Sequence, residues 1–336
     1  MSNKRIKYID MLKAFCIILV IAGHMGYTPA KVKLLLYIFH IPLFFFLSGM
    51  TLNVEKYDSI VQFFSKKFKA IVIPCFLMNI SIFFIKSVIL QPQLILKIDI
   101  LYFIKALILA DRMHIYYQLW FLNVLFLAEI VCYFAIKYSD TLYKYLIVFI
   151  VLTLCGSLGK KLYEMEFWLI WSFDLVPYAA VFILSGYLLR KNLATLQSYF
   201  RKVYFLPVFT VSVICGVCNT RVDLYYQQIN STFLYFVAAF FGIWASIILF
   251  KNIPNIPILE KIGGNTLIYY AYHSPIVLFI LDIIMEQVSS KYTGIFFSNY
   301  VIAIVELFLA IVLCELIARI INKSFPFLIG KPYKTT

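Results

Sequence analysis

Apolar residues in this chain do not alternate with polar ones at the period of two that marks a half-buried strand. They run in long blocks, near 11–27, 34–53, 70–90, 118–136, 145–158, 167–189, 203–217, 232–250, 267–284 and 300–321. Crossing the hydrocarbon of a bilayer takes about 20 predominantly apolar residues in a helix, so the pattern predicts about ten transmembrane helices joined by short loops. The blocks at 145–158 and 203–217 are short for the task. A further stretch at 100–110 is shorter still and reads as an interfacial or re-entrant helix.

Composition agrees. Of 336 residues, 63% are hydrophobic and 14% charged, where a soluble domain carries roughly a quarter charged; mean hydropathy is +0.90. The expectation is an all-α integral membrane protein, one transmembrane domain over 1–336, with no room for a separate soluble domain. The formal charge of +14 raises the question of nucleic acid. The basic residues, however, fall in short clusters between apolar blocks, as membrane topology requires, and nucleic acid is excluded as a partner. With both termini placed in the cytoplasm, inner segments hold twice as many Lys and Arg as outer ones, with Lys66, Lys67, Lys69 and Arg190, Lys191, Arg201, Lys202 as the densest groups. The basic stretch from Met1 to Lys13 leads into the first block with no small-residue cleavage site, so that block is read as a retained helix.

Candidate chemistry is confined to a short list. The seven cysteines lie within or beside apolar blocks and suit packing. Cys215 and Cys218 have CxxC spacing but no second pair or histidine to complete a zinc set, and no metal site is expected. Pro42, Pro74, Pro177 and Pro275 fall in or at the edge of spans, where proline frees a carbonyl and kinks the helix. Ionisable groups in a bilayer cost several kcal/mol unless paired or solvated. Here they are Asp10, Lys13 and His24 near the first span, His40 in the second, and Glu129, Asp174, His273, Asp282, Glu306 and Glu315 later. Each serves either as a functional group or as a hydrogen bond between helices. Imidazole, titrating near neutrality, suits proton removal from a hydroxyl. No GxSxG, P-loop or HExxH occurs.

The opening RIKYIDMLKAFCIILVIAGH, followed by FHIPLFFFLSGMTLN, resembles the membrane-bound acyltransferase family 3, especially its fucose 4-O-acetylase-like branch. KKFKAIVIPCF, QLWFLNVLFL, FILSGYLLRK and LEKIGGNTLIYYAYHSPI extend the likeness over most of the chain. The resemblance implies a bacterial inner-membrane enzyme moving an acyl group, usually acetyl from acetyl-CoA, to a sugar hydroxyl of a surface polysaccharide or lipid-linked glycan. Acetyl-CoA enters as donor substrate, with no permanently bound cofactor. In the family a basic residue precedes the first-span histidine with ten residues between them; here these are Lys13 and His24. The basic pair before the third span is Lys67 and Lys69. Lysine keeps the charge of the usual Arg but loses its bidentate fork.

On that basis His24 is the expected general base, with Glu306 as the acid orienting its imidazole ahead of Asp10, which is fourteen residues and about 21 Å away along the same helix and better suited to pair with Lys13 or a loop cation. Lys13, Lys67 and Lys69 are expected to bind the donor phosphates or else to act only as positive-inside anchors. His40, Ser48, Asp174 and His273 are expected to line the acceptor cavity. The competing reading is a transporter or flippase for a lipid-linked sugar, since buried charges and broken helices also mark permeation pathways.

Overall fold

The computed structural model describes residues 7–91, 99–110, 112, 119–292 and 299–332. The first residue of the expected span 118–136, and both chain termini whose cytoplasmic placement was expected, lie outside this set. Among the described residues all regular structure is helical, apart from an isolated bridge between Asp223 and Gln228.

Among the described residues eight helices are long and apolar enough to cross a bilayer: α2 (Ala30–Thr51), α3 (Ile60–Leu90), α5 (Trp120–Tyr138), α6 (Leu142–Glu164), α7 (Ile170–Lys191), α9 (Thr232–Asn252), α11 (Thr266–Gln287) and α12 (Tyr300–Ser324). The remainder are α1 (Lys7–His24), α4 (Ile100–Leu109), α8 (Lys202–Cys218) and α10 (Pro257–Gly263). The expected spans at 11–27 and 203–217 thus form helices outside the set of eight. The first carries Lys7, Asp10 and Lys13, and the second is short. The block at 145–158 is not short, because flanking residues extend it to the 23-residue α6. Likewise 70–90 is only the later part of the 31-residue α3.

All four singled-out prolines coincide with irregular helix. A proline has no N–H to give the carbonyl four residues back, so the ladder must rearrange nearby. Pro42 follows a break at 38–39 in α2. Pro74 follows a π turn at Phe68–Val72. Pro177 follows a 3-10 turn at Ile170–Leu175 in which Trp171 and Ser172 have φ of 56° and 53°. Pro275 lies inside a π segment at His273–Leu278.

The chain divides into two compact units. One comprises Met1–Leu47 and Asn192–Ile320, the other Ser48–Lys191 and Ile321–Thr336. In the first, α1 is the hub, touching α2, α9, α10 and α11, and Met11, Leu12, Ile17 and Ile21 are fully buried. Helix α10 lies so close to α1 that a Cβ on Gly263 would collide with the Asp10 carbonyl oxygen. Beside that contact Lys7 pairs with Glu260 at 3.9 Å, and Glu315 takes Lys261 at 2.5 Å, Arg319 at 3.0 Å and the Tyr269 hydroxyl at 3.2 Å. The unit therefore has a charged end at the start of α1 and a second end, where α1 stops at His24.

In the other unit, α5 and α7 pack on each other and α7 on α6. Gly49 meets the Ile183 carbonyl so closely that no larger residue fits. Helix α7 is 72% buried along its apolar window and α6 only 22%; the exposed Leu146, Ile150, Leu154 and Leu158 of α6 form the kind of surface that lipid covers.

Candidate functional site

His24 is the last residue of α1, and Met25 continues only as a turn, its N–H donating to the Ile21 carbonyl at 3.2 Å. The imidazole is therefore at a helix end and not at mid-span. Helix carbonyls there carry a partial negative charge that favours a cationic ring. His24 is exposed, whereas His40 and His273 are 2% and 3% exposed.

The three imidazoles share one arrangement. His24 Nδ1 lies 2.8 Å from the Val20 carbonyl oxygen, His40 Nδ1 2.7 Å from that of Leu36, and His273 Nδ1 2.8 Å from that of Tyr270 and 3.1 Å from that of Tyr269. A carbonyl can only accept, so Nδ1 carries the hydrogen and, in the neutral ring, Nε2 carries the lone pair. The backbone thus sets the tautomer a general base requires. It also corrects the expected role of Glu306, because the partner on His24 Nδ1 is the Val20 carbonyl and not a carboxylate.

His24 and His273 meet edge to face, with ring centroids 5.1 Å apart. The buried Nε2 of His273 has no hydrogen-bond partner among the described residues. His40 packs edge-on against Tyr37 at 4.8 Å, and its own carbonyl accepts from the Cys16 thiol at 2.9 Å. Tyr37 in turn lies over Gly23, the residue before His24, and its hydroxyl reaches the Gly23 carbonyl at 3.5 Å.

Glu306 is completely buried on α12, and neither carboxyl oxygen makes a hydrogen bond of good geometry among the described residues. Its neighbours are the Asp282 carboxyl, the Tyr27 backbone and the Lys33 ammonium, and Lys33 is also within electrostatic reach of His24. Asp282 Oδ1 would touch a Cβ on Gly26 at 3.4 Å, which places this carboxyl beside the turn that follows His24. His24, His40, His273 and Glu306 therefore gather at one end of the first unit. Lys13 does not join them. It is half-buried, eleven residues earlier on α1 and so about 16 Å away along the axis.

The other sequence-derived residues belong to the second unit. Ser48 donates to Glu129 Oε1 at 2.7 Å, and Lys67 Nζ stands 2.8 Å from Glu129 Oε2, approaching from outside a good hydrogen-bond direction. Lys67 is thus held by a buried carboxylate, while Lys69 is exposed. Two residues along a helix differ by about 200°, so the two lysines could not share a face. Asp174 does not stand open to a cavity. Arg112 grips it with two parallel bonds of 2.8 and 2.7 Å, both side chains are buried, and the guanidinium also lies 5.0 Å from the centre of the Tyr163 ring.

Sequence reading missed Arg112, Tyr37, Lys33 and Asp223. Arg112 sits in a polar connection with no periodic pattern, and its partner is 62 positions away. Asp223 lies in the loop between α8 and α9, outside the spans. There burial pushes its carboxyl above the ordinary 3.8, opposed by the Tyr225 N–H and the Arg221 charge. No group of three His, Cys, Asp or Glu side chains that could hold a metal occurs among the described residues.

Residues 6–319 match the model of the acyltransferase 3 family, described as an acyltransferase domain. No curated protein and no solved structure matches the chain.

Proposed function

The chain belongs to the acyltransferase 3 family, and from that premise we propose that it transfers acetyl from acetyl-CoA to a sugar hydroxyl of a surface polysaccharide or lipid-linked glycan. The observation that carries the mechanism is His24, an exposed imidazole whose Nδ1–H is fixed on the Val20 carbonyl so that Nε2 presents a lone pair.

His24 Nε2 takes the proton of the acceptor hydroxyl as its oxygen attacks the thioester carbonyl. The carbon–sulfur bond then breaks, and the imidazolium returns the proton to the CoA thiolate. The helix carbonyls at the end of α1 stabilise that imidazolium. Glu306, buried at the same end of the unit, takes no part in the proton transfer. His40 and His273 flank the base. Lys69, exposed, binds donor phosphate as a point charge, with Lys13 on the route between the charged end of α1 and His24. Ser48 and Asp174 serve the second unit's own packing, through Glu129 and Arg112.

A cytoplasmic, basic start of α1 and a bacterial inner membrane complete the reading, and they accord with the Lys and Arg distribution. The acyltransferase family tells against the transporter alternative. The test uses purified protein in detergent with radiolabelled acetyl-CoA and a series of glycan acceptors. His24→Ala should abolish transfer to sugar, and equal transfer by native protein and variant would sink the general-base assignment.

A further inference from the structure

Helices α8 and α9 are antiparallel neighbours, and two to eight residues commonly suffice for such a connection. Here the connection is 219–231, and it is built as a rigid object. Asn219 Oδ1 accepts from the Ser231 N–H at 2.8 Å, and Asn230 Nδ2 donates to the Asn219 carbonyl at 2.9 Å and to the Thr220 hydroxyl, which ties the two ends together. Asp223 and Gln228 exchange two backbone hydrogen bonds of 3.0 and 2.9 Å. Asp223 Oδ1 also accepts from the Tyr225 N–H at 3.1 Å. Val222, Leu224 and Ile229 are buried as anchors.

Two residues of the loop, Thr220 and Gln227, hold left-handed backbone at φ of 60° and 54° without being glycine. Such strain persists only where the surroundings enforce it, and it concentrates at ligand-binding positions. The rigid frame presents a specific surface. Tyr226 is 45% exposed and meets the Tyr225 ring edge-on at 4.6 Å. Arg221 extends outward with its guanidinium 3.7 Å from Asp223 Oδ2. Tyr37 is within electrostatic reach of Asp223, Arg221 and Tyr226. Because Tyr37 also covers Gly23, the loop sits at the His24 end of its unit.

An aromatic face beside a fixed carboxylate and a five-donor guanidinium is the chemistry that recognises a pyranose. The ring carbons pack on the aromatic face, while hydroxyls donate to the carboxylate and accept from the guanidinium. The geometry points to loop 219–231 as the subsite for the acceptor sugar, with Tyr226 under the sugar ring, Asp223 and Arg221 on its hydroxyls, and Tyr37 linking the loop to the end of α1. This inference rests on the acetyl-transfer reading for the identity of the ligand, but its test does not need turnover.

Hydrogen–deuterium exchange of the full chain in nanodiscs is followed at peptides covering 219–231, with and without a mixture of methyl hexopyranosides at saturating concentration. Protection of these peptides is expected. Tyr226→Ala, an exposed position that leaves the anchors intact, should require about tenfold more glycoside for the same protection, as should Asp223→Asn. No protection of the loop in native protein overturns the subsite, as does equal protection in both variants. His24→Ala should keep the protection while losing transfer. If His24→Ala keeps both, the base assignment fails and the subsite stands.

Discussion

Lys67 and Glu129 form a pair whose two members should not be equally costly to remove. Glu129 is the deeper one, with its side chain 3% exposed against 20% for Lys67. Replacing Lys67 by Ala leaves a buried carboxylate with the Ser48 hydroxyl as its remaining named partner, and stranding a buried charge in this way costs about 3–5 kcal/mol. Glu129→Gln keeps an acceptor for Ser48 and frees an ammonium on a four-carbon stem that can turn towards water, for about 1 kcal/mol. The double variant Lys67→Ala with Glu129→Gln removes both charges and should return to within about 2 kcal/mol of native, a coupling of at least about 2 kcal/mol between the sites. Reversible unfolding in mixed micelles of rising SDS content measures all four proteins, and half-saturation by acetyl-CoA is read on the same preparations. Lys67→Ala should lose stability, whereas Lys69→Ala should keep stability and raise the half-saturating acetyl-CoA concentration. If Lys67→Ala costs no more than Glu129→Gln and instead weakens acetyl-CoA alone, Lys67 is a donor-binding cation and the structural account of the pair is wrong.

Arg112→Met and Asp174→Asn should each destabilise by about 3–5 kcal/mol, because both charges are buried and bidentate, while the pair Arg112→Met with Asp174→Leu should recover most of the loss; the same SDS titration decides. Gly263→Ala pushes a methyl into the Asp10 carbonyl and should cost about 1–3 kcal/mol, read as a lower unfolding midpoint. For Asp223, burial raises the carboxyl above 3.8, so the protonated form is the better accommodated one in the folded loop. That contribution is complete below pH 3.8 and is lost as pH rises through the raised value. Intrinsic-rate-corrected exchange of the 219–231 amides should therefore quicken with rising acid-range pH, and Asp223→Asn should flatten the dependence.

Much was legible locally. Nine of the ten expected blocks of apolar sequence lie wholly within the described residues and contain helix, and the four prolines sit where the helices break. What could not be read is which faces meet. Asp174 looks in sequence like a lone acid in an apolar run, and it becomes one half of an ion pair only because Arg112, 62 residues earlier, folds back on it. Glu129 is bound to Ser48 across 81 positions and to Lys67 from a different helix. The position of His24 at a helix end depends on where α1 stops, and hydropathy runs past that point to 27.

A helical, membrane-embedded chain is legible stretch by stretch, because the cost of burying peptide groups and charges in lipid acts on each stretch separately and leaves its mark in composition, and the acyltransferase family is legible in local motifs such as RIKYIDMLKAFCIILVIAGH. Packing between distant segments is what leaves His24 exposed with Nδ1 on the Val20 carbonyl, commits Lys67 to Glu129, and brings loop 219–231 within reach of Tyr37 at the His24 end. Those outcomes depend on contacts between distant segments, whose free energies are set by distance and orientation in the packed bundle and are carried by no single stretch of chain.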